Sequence, residues 1–265
     1  MIPYLFQIYG PLYANCYGLA ILLGIIVLIL LSSRDKKLKK LVTHDQLINI
    51  IIIGTIVGII GGMILWGIVN YHTLENWTEL FEFWNGGLSI LGVIIAISIF
   101  IPIYLKYKKI PVIKFLDRIT VYTALTQSIA RIGCFCAGCC YGIKTNTIFG
   151  VTYTHPDSGA PLYLKIHPAQ LYSSILLLLI FLLIYFVLQK YFKKPGQIFT
   201  SYLFLISLER FITDFIRADR EFSTLKEINF LSINQWIALI IILISTLLFI
   251  HYSRKKSGQT HENFA

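Results

Sequence analysis

The sequence predicts an all-α polytopic membrane protein. It should have about seven transmembrane helices, the N-terminus outside, the C-terminus cytoplasmic, and a small extracytoplasmic cap around residues 135–167. Three observations predict this. The 265-residue chain is 56% hydrophobic and 14% charged, with a mean hydropathy of +0.72, too apolar for a soluble domain of this length. The apolar residues fall in blocks long enough to cross a bilayer, which takes about 20 helical residues. The cations collect in short stretches between alternate blocks.

Taken in order, the blocks lie near 12–32, 46–70, 87–105, 116–135, 168–189, 197–216 and 233–252. Residues 1–13 contain no Lys or Arg, so the n-region of a cleaved signal is lacking and the first block is expected to be retained. Gly54, Gly58, Gly61 and Gly62 give the second block small-xxx-small spacings, expected to let it pack closely on another span of the same chain, with pairing to a second copy as the alternative reading. The fourth block is the least apolar. The whole of 1–256 reads as one membrane domain, and 257–265 as a disordered cytoplasmic tail.

The loops orient the spans. Arg34-Asp-Lys-Lys-Leu-Lys-Lys40, then Lys106 to Lys114, Lys190 to Lys194, and Arg254 to Lys256 follow the odd-numbered blocks, whereas 71–85 has no cation and three glutamates. Cations concentrate on the cytoplasmic side, which sets the orientation given above. The net charge of +10 is spent on topology, so no nucleic-acid partner is expected. The stretch Thr145-Asn-Thr-Ile-Phe-Gly-Val-Thr-Tyr-Thr-His155 alternates and favours strands, which predicts a strand-containing cap.

One stretch concentrates the chemistry: Arg131-Ile-Gly-Cys-Phe-Cys-Ala-Gly-Cys-Cys-Tyr-Gly142. A guanidinium at the end of an apolar helix has no cheap place unless an anion meets it. Arg210, Asp214 and Arg217 share a stripe of the sixth span at i, i+4 and i+7. Two readings stand there: an Arg210–Asp214 ion pair that only holds helices, or convergence of Arg131 and Arg210 on a phosphate, which the planar guanidinium fork suits. His167-Pro-Ala-Gln-Leu-Tyr172 opens the fifth span, with Pro168 in its first turn and Gln170 and Tyr172 toward a polar interface. Tyr172 and Trp84 also fit aromatic-belt anchors.

Cys134, Cys136, Cys139 and Cys140 permit three readings: a disulfide, small packing residues at a helix end, or a metal site. Their Cys-x-Cys-x-x-Cys-Cys spacing lacks paired C-x₂-C units, so no metal is expected. The chain's five cysteines leave at least one thiol unpaired in an oxidising compartment.

The motifs together resemble the bacterial prolipoprotein diacylglyceryl transferase family. Tyr17-Gly18-Leu19 is similar to its first-span motif, and Gly86-Gly87-Leu88-Ser89-Ile90-Leu91-Gly92 to its Gly-Gly-Met-Ser-Phe-His-Gly. Arg131-Ile-Gly133, with Gly138 and Gly142, resembles the family signature. His167-Pro-x-Gln-Leu-Tyr172 and Arg210-Phe-x-x-Asp-Phe-x-Arg217 resemble two further motifs. The departures are specific. Leu91 stands where the family has a histidine, Cys134 and Ala137 where it has asparagines, Cys139 where it has a glutamate, and Ile206 where it has a tyrosine.

The resemblance implies transfer of a diacylglyceryl group from phosphatidylglycerol to the lipobox cysteine of a prolipoprotein, at the outer face of the bacterial cytoplasmic membrane, without a cofactor. It implies catalytic roles for Arg131, Arg210, Tyr17 and His167. Substrate contacts would fall to Gly86, Gly87, Ser89, Gly133, Gly138 and Gly142, and to Gln170, Tyr172, Asp214 and Arg217. The departures leave open a relative that handles another anionic phospholipid, or a non-catalytic lipid-binding or cysteine redox protein.

Overall fold

The computed structural model describes residues 4–9, 12–72, 88–220 and 230–254. Chain order is β1 (Tyr4–Tyr9), β2 (Leu12–Asn15), α1 (Cys16–Arg34), α2 (His44–Val69), α3 (Ile90–Tyr107), α4 (Val112–Ala137), β3 (Val151–Thr152), β4 (Lys165–Ile166), α5 (Ala169–Leu182), a π-helical stretch (Leu183–Leu188), α6 (Gln189–Tyr191), α7 (Gln197–Asp214) and α8 (Ile233–Arg254). Among the described residues, five rods are long and apolar enough to cross a membrane: Cys16–Arg34, His44–Val69, Ile90–Tyr107, the continuous Ala169–Tyr191, and Ile233–Arg254. The protein is therefore a predominantly helical membrane protein. The other two long helices, α4 and α7, hold most of the buried polar side chains of the expected spans, which lowers their hydropathy.

The first span starts later than expected. Leu12–Asn15 pairs antiparallel with β1, and α1 begins at Cys16, where the Asn15 side chain accepts a 2.6 Å hydrogen bond from the Gly18 amide. That contact is an N-cap, satisfying one of the free amides of the first turn. Likewise Pro168 is the N-cap of α5 rather than a residue of its first turn. The tail 257–265 lies outside the described residues.

The chain forms two compact units, residues 33–115 and residues 1–32 with 116–265. In the first, Thr43 caps α2 through a reciprocal box with Gln46 at 3.0 and 3.2 Å. The α2 glycines then face α3: a Cβ at Gly61 would stand 2.3 Å from the Ala96 Cβ and 2.8 Å from the Gly92 carbonyl. Close backbone approach replaces interdigitating side chains there.

In the second unit Val121, Tyr122 and Ala124 of α4 pack with Ile180, Ile184, Ile198 and Tyr202, and with Leu28 and Leu31 of α1. Polar ties fix the helix pairings inside this apolar setting. Asp117 accepts the Gly196 amide at 2.5 Å and the Phe199 amide at 2.8 Å, placing a carboxylate on the α7 N-terminus. Ser128 and Ser174 exchange hydroxyl-to-carbonyl bonds at 2.8 Å, joining α4 to α5. Between α4 and α5 the expected strand-containing cap is present. β3 pairs with β4 over a small core of Tyr153, Ala160 and Ile166.

Candidate functional site

The site is built where α4 ends. Gly133 lets α1 approach, since a Cβ there would stand 2.6 Å from the Ala20 Cβ and 3.1 Å from the Tyr17 Cα. That approach brings the Tyr17 ring into electrostatic reach of Arg131, Cys134, Cys139 and Cys140. The helix stops at Ala137 because Gly138 takes a left-handed conformation, φ +79°, while its amide still bonds the Cys134 carbonyl at 2.9 Å. The chain therefore reverses, and Cys139 and Cys140 fold back beside Cys134. The three sulfurs lie within 4.8 Å of one another. None of the five cysteines is in a disulfide bond. Cys136 points elsewhere, toward Cys16 at the start of α1.

The returning strand is clamped on both sides. The Gly142 amide donates to the His167 carbonyl at 3.0 Å, the Ile143 amide to Ile216 at 2.8 Å, and Ala218 to Tyr141 at 3.0 Å. A Cβ on Gly142 would meet the His167 carbonyl at 2.6 Å, so only glycine fits. These bonds carry His167 and Arg217 to the same place. His167 Nδ1 lies 3.2 Å from the Tyr172 hydroxyl. Gln170, 1% exposed, donates to the Cys139 carbonyl at 2.7 Å, while its Oε1 has no donor among the described residues. The nearby Tyr153 hydroxyl donates instead to the Phe135 carbonyl at 2.8 Å, and burial pushes that phenol above its ordinary range, keeping it a neutral donor.

Arg131, Arg210 and Arg217 converge: Arg217 and Arg131 both act electrostatically on Arg210, and Cys140 lies in the field of all three. Among the described residues, Asp214 and Asp219 are the carboxylates paired with these arginines. Asp214 is fully buried and shared, 3.5 Å from Arg210 and 3.5 Å from Arg220, and it also accepts a hydrogen bond from Ser232. Arg217 is held by the fork of Asp219, which accepts from Nε at 2.8 Å and from Nη2. Among the described residues no carboxylate lies within ion-pair distance of Arg131. The Arg210–Asp214 pair foreseen as a helix brace exists, and its one carboxylate is shared between Arg210 and Arg220.

Of the remaining expected residues, Gly86 and Gly87, like Trp84, lie outside the described residues. Ser89 belongs to the other unit, where its amide donates to the Gly62 carbonyl at 3.1 Å. Sequence reasoning missed Glu209, which is 6% exposed and accepts a 2.5 Å bond from Ser173. An acid inside an apolar helix beside Arg210 was signal enough to find it. Ser232 was missed because its contact with Asp214 spans 18 residues of sequence, whereas Asp219 and Arg220 were missed although they closely follow Arg217.

The fold and site together define a helical membrane protein with arginines and thiols gathered at the end of α4. Residues 3–251 match the family model described as prolipoprotein diacylglyceryl transferase. The chain belongs to that family. It is 36% identical over 250 residues to a protein of Clostridium tetani named phosphatidylglycerol–prolipoprotein diacylglyceryl transferase, covering 94% of this chain and 97% of the relative. A Clostridium perfringens protein named as transferase 2 is 32% identical, over 88% and 89% of the two chains. A Dehalococcoides mccartyi transferase is 31% identical, over 96% and 95%.

Proposed function

We propose that this protein transfers a diacylglyceryl group from phosphatidylglycerol to the lipobox cysteine of a prolipoprotein. Family membership and the names of relatives matched along most of their length support the reaction. The single structural observation that carries it is the gathering of Arg131, Arg210 and Arg217 around Cys140, with no carboxylate among the described residues within ion-pair distance of Arg131. Such a cluster in a low-dielectric setting is completed by a lipid phosphate.

The chemistry needs no oxidant and no metal step. The sulfur of the acceptor thiolate forms a bond to the glycerol carbon, the bond from that carbon to the phosphate oxygen breaks, and glycerol phosphate leaves. Arg131 and Arg210 hold the phosphate and stabilise the charge that grows on it as it departs. Arg217, already fixed by Asp219, adds field rather than a free fork. The acceptor thiol, with an ordinary pKa near 8.5, needs only modest help to ionise. His167 takes that proton in the tautomer whose Nδ1–H donates to the Tyr172 oxygen, which makes Nε2 the acceptor. This assignment accounts for a chain that has Leu91 where the family has a histidine. Tyr17, against the thiols and Arg131, orients the headgroup.

In the same reading the chain crosses the bacterial inner membrane seven times, counting α4 and α7 as spans, with the cap and Arg131 at the outer face. The cations that follow alternate spans support that orientation. Phosphatidylglycerol then enters sideways from the outer leaflet, and the prolipoprotein presents its lipobox cysteine from the same membrane. The test is transfer in vesicles containing phosphatidylglycerol and a lipobox peptide, comparing the wild type with Arg131→Ala and Arg210→Ala. Loss of transfer by folded variants is expected; wild-type rates in either would overturn the assignment. Rescue of a transferase-depleted strain tests the acceptor in cells.

A further inference from the structure

We propose that Cys134, Cys139 and Cys140 form a three-thiolate site for a thiophilic divalent cation of the zinc class. The inference stands on the placement of the sulfurs and is independent of the transferase reading. Linear spacing argues against such a site, because Cys-x₄-Cys-Cys offers no paired ligands. The helix stop at Gly138 changes that, since it returns the next two residues onto the last turn of α4. The resulting sulfurs lie within 4.8 Å of one another. A zinc–sulfur bond of about 2.3 Å requires sulfurs about 3.8 Å apart at tetrahedral angles, so the trio closes on an ion with small side-chain movements.

Two further observations favour a ligand over inert packing. Cys140 holds a left-handed conformation, φ +59°, which a side chain other than glycine, asparagine or aspartate adopts at a cost and which turns its sulfur toward the other two. Three thiolates on a divalent ion leave one net negative charge, and the Arg217 and Arg131 guanidiniums lie where they offset it. Soft thiolates select soft and borderline ions over magnesium or calcium. Each thiol gives its proton to solvent as the ion binds. One coordination position stays open, as in sites with three protein ligands. Cys16 and Cys136 form a separate pair and take no part.

The experiment uses the full chain in detergent, reduced and then freed of reductant without air, and titrated with Cd²⁺ as the probe. Expected is one equivalent per chain, with a sulfur-to-cadmium charge-transfer band that Zn²⁺ displaces and Mg²⁺ does not. Cys139→Ser and Cys140→Ser should weaken binding at least about tenfold, while the double variant Cys16→Ser/Cys136→Ser keeps the band. A footprint on the wild type guards against misfolded variants: Cd²⁺ should slow alkylation of Cys134, Cys139 and Cys140 together. Equal alkylation of the trio with and without Cd²⁺, or a full band in Cys139→Ser, overturns the proposal.

Discussion

Ser173 on α5 donates its hydroxyl to Glu209 on α7 at 2.5 Å, one residue before Arg210. With the Ser128–Ser174 exchange, this bond makes α5 the strut between the helices that carry Arg131 and Arg210. The first prediction follows from burial. Ser173→Ala leaves a buried carboxylate short of its donor and should cost about 1.5–3 kcal/mol. Glu209→Gln, which can keep the bond without the charge, should cost less. Thermal unfolding of both variants in one detergent checks the order, and a smaller loss for Ser173→Ala would refute it.

Arginine at positions 131 and 210 is expected to matter for its fork as well as its charge. Arg131→Lys and Arg210→Lys should each lower transfer about 10²-fold, near the effect of removing one preorganised donor to a developing oxyanion. Binding of phosphatidylglycerol should fall less than turnover. Initial rates across a donor titration separate the two.

His167→Gln should slow transfer most near neutral pH. The sign follows from the acceptor: above its pKa near 8.5 the thiol ionises without a base, so the deficit should shrink between about pH 7 and about pH 9. A constant deficit across that range would remove His167 from the proton path.

Two glycines should be intolerant for different reasons. Gly138→Ala places a Cβ 2.2 Å from the Ser158 hydroxyl and forces a left-handed conformation that costs alanine about 1–2 kcal/mol. The turn should open, with loss of transfer and of trio metal binding together. Gly61→Ala, inside the 33–115 unit, drives a Cβ into Ala96 of that same unit and should cost about 1–3 kcal/mol by overpacking. It should leave the cysteine trio's metal affinity unchanged. Unfolding and cadmium titration of both variants test the contrast.

The sequence by itself determined the helical membrane class, the positions of the long helices to within a few residues, the strand-bearing cap and the family. The reason is physical: a span must be apolar along about 20 residues, and loop cations are one-dimensional signals read without knowing any contact. It also marked Arg131, Arg210 and His167, because a charge or motif is conspicuous in hydrocarbon. Only the tertiary structure decided what these residues face. Asp214 could be paired with Arg210 from helical spacing, but its division between Arg210 and Arg220 depends on a loop folding back. Leu12–Asn15 looked like helix and pairs with β1, because hydropathy does not tell a strand from a helix end. The cysteines show the limit most clearly. Their linear spacing argued against a shared site, and one left-handed glycine at 138 brings three sulfurs together, since a helix terminus turns sequence distance into proximity by backbone geometry alone.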